Sequence, residues 1–191
     1  MEQSHIIERV TELFAEKLKK IDADENRFHI IIDDDTEIYD DKQPALKIIL
    51  LGIEENHSNN MFEKIKQSEI DEDGNLIEYF IQPATLINLR YMVAPYCSSR
   101  NTAYRMLGMI IKQIKDDNLI EIDEYDWIDN NMNPIKIENI QIDFEKQIQI
   151  FNLLRIDFKP SLFYQMTVGI NSDKKEMFRR VEERKISAKK I

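Results

Sequence analysis

One cysteine, one tryptophan, three histidines and four glycines among 191 residues leave many functions without parts. Cys97 alone excludes an internal disulfide and a cysteine-based zinc site. His5, His29 and His57 have no second histidine or cysteine at metal-ligand spacing. A nucleophilic thiolate needs a base and an electropositive setting; Arg100 and Arg105 lie near Cys97 in the chain, but no histidine does. Neither G-x-x-x-x-G-K-[ST] nor G-x-G-x-x-G occurs, and so few glycines make a phosphate-cradling loop hard to build. No apolar run approaches the roughly 18 residues of a membrane helix. The N-terminal MEQSHIIERV has no basic start followed by an apolar core, so no signal peptide is read and folding in the cytoplasm is expected.

What is abundant is carboxylate. The net charge is -10 and the sequence pI about 4.9. Such a chain repels nucleic-acid phosphate unless its basic residues gather on one face. With carboxylates everywhere, no pair stands out as general acid and base. Hydrophobic residues make up 42% and charged residues 32%, a globular composition of a length that favours one domain with an appended arm.

The most informative stretch runs from Gln82 to Leu119. Ile87, Leu89, Tyr91 and Val93 alternate with Leu86, Asn88, Arg90 and Met92, the period of a strand with one drier face. Pro83 and Pro95 are expected to bracket it. Ser98 or Ser99 can cap a following helix, whose stripe is Ala103, Met106, Leu107, Ile110, Ile111 and Ile114. Gly108 inside that helix costs about 1 kcal/mol against alanine and suggests the close approach of another backbone.

Before this unit, residues 3–21 carry a helical stripe (Ile6, Ile7, Val10, Leu13, Phe14, Leu18, Ile21) with Ser4 as the expected cap. It reads as a core-packing helix, with partner binding as the alternative. Residues 28–32 suit a short strand. The carboxylates after it, Asp33 to Asp35, suit either a divalent cation or a solvated loop, and no nearby residue completes a ligand pattern. Pro44 to Ile53 is apolar on both faces, as in a central strand. Residues 61–82 predict a hairpin turning at Asp73-Gly74. DEDGN resembles the start of a calcium loop, but the twelfth position from Asp71 is Gln82 rather than the required glutamate.

After it, Asn118 to Asn133 is acidic and irregular apart from IEI. Trp127 there suits a core edge or an interface anchor. Residues 135–142 suit one strand or two short ones. Asp143 can cap a helix bearing Phe144, Ile148 and Phe151 on one side. Leu162 to Ile170 alternates as a last strand. Residues 173–191 hold eight basic against four acidic residues, while 18 basic and 32 acidic residues precede them. Met177, Phe178 and Val181 form a modest helical stripe, so this tail reads as a solvated helix or as an arm reaching an acidic neighbour. The domain limits are 1–172 for the body, with a projecting hairpin near 61–82, and 173–191 for the basic arm. The residues alone predict an α+β fold, with a mixed, mostly antiparallel sheet of about four to six strands against two or three amphipathic helices.

Four segments in register carry a resemblance. Leu89-Arg90-Tyr91-Met92-Val93-Ala94-Pro95-Tyr96 is followed by Tyr104-Arg105-Met106-Leu107-Gly108. Ile49 to Asn60 (ILLGIEENHSNN) precedes them, and Lys159-Pro160-Ser161-Leu162-Phe163-Tyr164 lies within Phe144 to Val168. Over residues 3–172 this resembles the N-terminal domain of the cap, or tail-terminator, proteins of extracellular contractile injection systems. The family's strand ends in L-x-Y-L-x-T-P and its helix carries H-R-L-L-G; Ala94 and Tyr104 depart from that pattern.

The resemblance implies a structural protein without catalysis, cofactor or metal. It implies a ring, usually sixfold, on the distal end of a phage-tail-like particle, which binds the last inner-tube layer and the sheath and stops polymerisation. No membrane or nucleic-acid partner is implied, and the particle can leave the cell. Arg90, Tyr96, Arg100, Arg105, Lys174, Lys175, Arg179 and Arg180 are the candidate subunit or particle contacts; ordinary surface charge pairing is the plainer reading of the arginines. Two rival readings are a tail-completion protein of a phage, with a basic lumen for DNA, and a small metal-dependent enzyme using Asp33 to Asp35.

Overall fold

The computed structural model describes residues 5–22, 28–32, 44–57, 65–70, 76–121, 134–170 and 175–177. Strand β5, Thr85–Tyr96, is the axis of the body. It pairs antiparallel with β2, Ala45–Glu55, on one side and with β8, Leu162–Ile170, on the other. Strand β1, His29–Ile32, adds parallel to β2, and β7, Ile135–Asn139, adds antiparallel to β8. With β6, Leu119–Ile120, the order is β1-β2-β5-β8-β7-β6. The result is the expected α+β class: among the described residues, a six-stranded main sheet with three α-helices.

Alternation decides which face is dry. Ile87, Leu89, Tyr91 and Val93 of β5 join Tyr164, Met166 and Val168 of β8 in the main core. Helix α1, Ile6–Lys19, lays Ile6, Val10, Phe14 and Leu18 into it. Helix α2, Arg100–Asp116, adds Met106, Ile110 and Ile114. The opposite face has a smaller core of Ile49, Met92, Ala94 and Phe163, covered by Phe151 of α3, Phe144–Leu153. The 28–32, 135–142 and 162–170 expectations are met as β1, β7 and β8.

Several local expectations fail for identifiable reasons. Pro95 does not end β5; it lies inside it, opposite Leu46. Pairing with β8 stops at Val93, so that edge is open where proline's missing N–H would matter. Gly108 has open space around it among the described residues, since a Cβ there would meet nothing within 4 Å, so the expected close approach of another backbone is not found there. Helix α1 starts at Ile6 with His5 at the cap position and no side-chain cap bond; Ser4 lies outside the described residues. Asp143 holds the cap position of α3 without a side-chain cap bond. Ser99 does cap α2, accepting from the Thr102 N–H at 3.5 Å.

A second sheet stands apart in its pairing. Strands β3, Ile65–Ile70, and β4, Leu76–Ile81, form the expected hairpin. Its turn at Asp73-Gly74 lies outside the described residues. The third strand comes from the tail: β9, Lys175–Met177, pairs antiparallel with β4. The tail's helical stripe is therefore extended at its first apolar residue, Met177, rather than helical there. Trp127 and Asp33 to Asp35 also lie outside the described residues.

Candidate interaction surfaces

Strand β2 bulges between Leu50 and Gly52, so that two residues face one position of β5. Gly52 then sits opposite Arg90 and Glu54 opposite Asn88 on the outer face. There the Arg90 guanidinium meets Glu54 at 2.8 Å and donates to Gln165 at 3.3 Å. Beside this row, Asn88 Oδ1 accepts from Thr167 at 2.8 Å and from Asn56 at 3.2 Å. The outer face is thus dry beneath α3 and polar beyond it. A cleft of about 550 Å³ lies at the boundary, lined by Leu51, Arg90, Ile142, Lys146, Ile150 and Leu153 among others. Next to it α3 exposes Phe144 and Leu153, with Phe158 packed edge-on against Phe144 at 5.4 Å.

At the far end of β5, Tyr96 is half-buried beneath the Lys159 ammonium, 3.6 Å from the ring centroid. Both groups are partly buried, and burial pushes the Tyr96 phenol up and the Lys159 ammonium down. Cys97 donates to the Ser99 carbonyl at 3.3 Å. Burial pushes its thiol up, more than Ser99 and Lys159 pull it down, the opposite of what a thiolate nucleophile needs. Among the described residues no group of three or more His, Cys, Asp or Glu is placed to hold a metal ion.

The eight candidate contacts do not form one patch. Arg90 is held within its own sheet and Tyr96 under Lys159. Arg100 and Arg105 stand exposed on α2, without an ion pair among the described residues. Lys175 lies in β9, while Lys174, Arg179 and Arg180 lie outside the described residues. Sequence reasoning gave no surface role to Glu54 or Lys159, and it set Ile111 in the apolar stripe of α2, which the structure corrects: Ile111, like Tyr104, is exposed. Helical spacing held the signal for the last two. At about 100° per residue, Ile111 falls on the flank of the buried stripe rather than at its centre.

The family model described as the Pvc16 N-terminal domain matches residues 6–183. The chain belongs to this family. Two solved structures have a similar fold. One is the sheath/tube terminator of the PVC extracellular contractile injection system in its extended state, with TM-score 0.69 and 14% identity over 100% of this chain. The other is the tube-terminating cap of the anti-feeding prophage, with TM-score 0.60 and 12% identity over 94% of this chain. The chain spans 65% and 60% of their respective lengths. No curated protein matches it. No described helix is long and apolar enough to cross a membrane.

Proposed function

We propose that this chain is a structural cap on a contractile, phage-tail-like injection particle. It forms a ring on the last layer of the inner tube, contacts the sheath and stops both from growing. One observation carries the reading: the Pvc16 N-terminal fold matches, over the whole chain, a protein described as a sheath/tube terminator. The physics suits the task. A terminator presents one surface complementary to the growing end and another that offers nothing to the next ring. No bond is made or broken, which agrees with an unactivated Cys97.

The ring, with hexamer as the expected number, brings two different patches of each subunit together. The β3–β4 hairpin and the tail are its candidate arms, because strand pairing between subunits needs an accessible edge. The particle assembles in the cytoplasm and can be released with its cap. Electron micrographs of particles from a strain lacking this chain test the reading. Tubes and sheaths of irregular length, or with open distal ends, are expected. Particles of normal uniform length with intact upper ends would refute it.

A further inference from the structure

Helix α2 carries two features that weaken it and that the fold does not use. Gly108 lowers its stability by about 1 kcal/mol, yet a Cβ there would meet nothing within 4 Å among the described residues. Arg100 sits in the first turn, which holds no acidic residue, so its charge opposes the positive end of the helix dipole. The rest of the outward face is equally unusual. Arg100, Arg105, Lys112 and Lys115 face water in a chain of net charge -10, and none has an ion pair among the described residues. Tyr104 and Ile111, 56% and 50% exposed, lie on the same arc as Gly108. This face offers an apolar strip, a flat centre and a cationic rim.

A complementary surface lies on the same molecule. Glu8, Glu12 and Glu16 recur every fourth residue along the wet side of α1. Arg9 reaches Glu12 at 3.3 Å and Glu16 at 4.0 Å, and His5 reaches Glu8 at 3.0 Å. Such exposed pairs are worth little and exchange at little cost. The spacings agree: a helical rise separates Arg105 from Lys112 by about 10 Å and Glu8 from Glu16 by about 12 Å. We propose that the outward face of α2 docks a second copy of this chain, receiving the glutamate stripe of that copy's α1 across Gly108. The proposal rests on the cap reading for its purpose, since it supplies a contact between ring subunits. The contact itself belongs to the chain alone.

The test is sedimentation of the full chain at low and high salt, with helix content followed by circular dichroism. Self-association that weakens as salt rises is expected. Arg105→Glu with Lys112→Glu should weaken it about tenfold or more, as should Glu8→Lys with Glu16→Lys. The chain carrying all four substitutions should recover much of the loss, because both stripes have then changed sign. Gly108→Trp, which alters no charge, should also weaken association by filling the flat centre. A chain that stays monomeric to roughly 100 μM at low salt would overturn the proposal. So would association indifferent to salt, or a fourfold variant no better than its parents. Irregular particles in the deletion strain together with a monomeric chain would remove this docking face and leave the cap reading standing. Normal particles together with the charge-swap recovery would do the reverse.

Discussion

The hydroxyls of Thr11 and Tyr91 lie 2.8 Å apart across 80 residues of sequence, buried where α1 crosses the central strand. Thr11 already donates to the Ile7 carbonyl at 2.7 Å, so it accepts from the phenol. The two halves of this contact are unequal. Tyr91→Phe removes a donor and keeps the ring against Phe14, 5.5 Å away between centroids; a loss of about 1 kcal/mol is expected. Thr11→Ala leaves a buried phenol without its acceptor and should cost more, about 1–3 kcal/mol. Urea unfolding of the two variants at neutral pH gives the order.

Burial pushes the Tyr91 phenol, and likewise that of Tyr164, up to about 12. A group whose folded pKa is raised stabilises the fold fully below its unfolded value and loses that stabilisation as pH climbs through the folded value. Stability should therefore fall between about pH 10 and 12. The share of tyrosinate absorbance that comes from Tyr91 and Tyr164 should rise with unfolding rather than before it. Tyr91→Phe and Tyr164→Phe should each flatten the alkaline slope of the urea midpoint.

Lys17 anchors α1 to the end of α2. Its ammonium meets Asp117 at 2.6 Å and the Leu119 carbonyl at 2.5 Å, although Lys17 itself is buried. The hydrogen bond from Lys17 holds the Asp117 carboxyl below its ordinary value. A depressed carboxylate stabilises above its unfolded pKa and ceases to do so as pH falls through the folded one. Asp117→Asn should remove part of the stability lost below about pH 4. The effect should stay under about 1 kcal/mol, because solvent screens this exposed carboxylate. Lys17→Met probes the buried end and should cost more at neutral pH. Thermal melts from pH 3 to pH 7 compare them.

Gly108→Ala should stabilise the isolated chain by about 1 kcal/mol, since the added methyl meets open space in a helix. Chemical denaturation measures this. A loss of stability would show that something packs against Gly108 within the single chain.

Removing residues 173–191 deletes β9 and uncovers the edge of β4 from Tyr79 to Ile81. The six-stranded body should keep its main melting transition. If the tail is an assembly arm, ring formation and particle binding should both fall, as read by electron microscopy and co-sedimentation. Unchanged assembly would show that the arm lies elsewhere.

Periodicity carried most of the body. The strand at Thr85, the stripes of α1 and α2 and the last strand were legible because period 2 and period 3.6 differ plainly in runs this long. Chain neighbours also made the 61–82 hairpin visible. The third strand of its sheet was not, because three residues of tail pair with a strand about 100 positions away and carry no periodicity of their own. The candidate surfaces were harder to read. Arg90 was singled out from sequence, but its partner Glu54 is placed by a bulge, which alternation does not announce. Lys159 reaches Tyr96 only after α3 and its trailing segment fold back, a tertiary fact with no local signal.

The bulge at Leu51 gives β2 one residue of slack. A chain shortened by Leu51 would close the irregularity and still set Glu54 beside Arg90. A chain lengthened by one residue after Gly52 would turn Glu54 to the other face of the sheet, the one that α1 and α2 cover. Descendants of this sequence can thus shed a residue from β2 more safely than they can gain one.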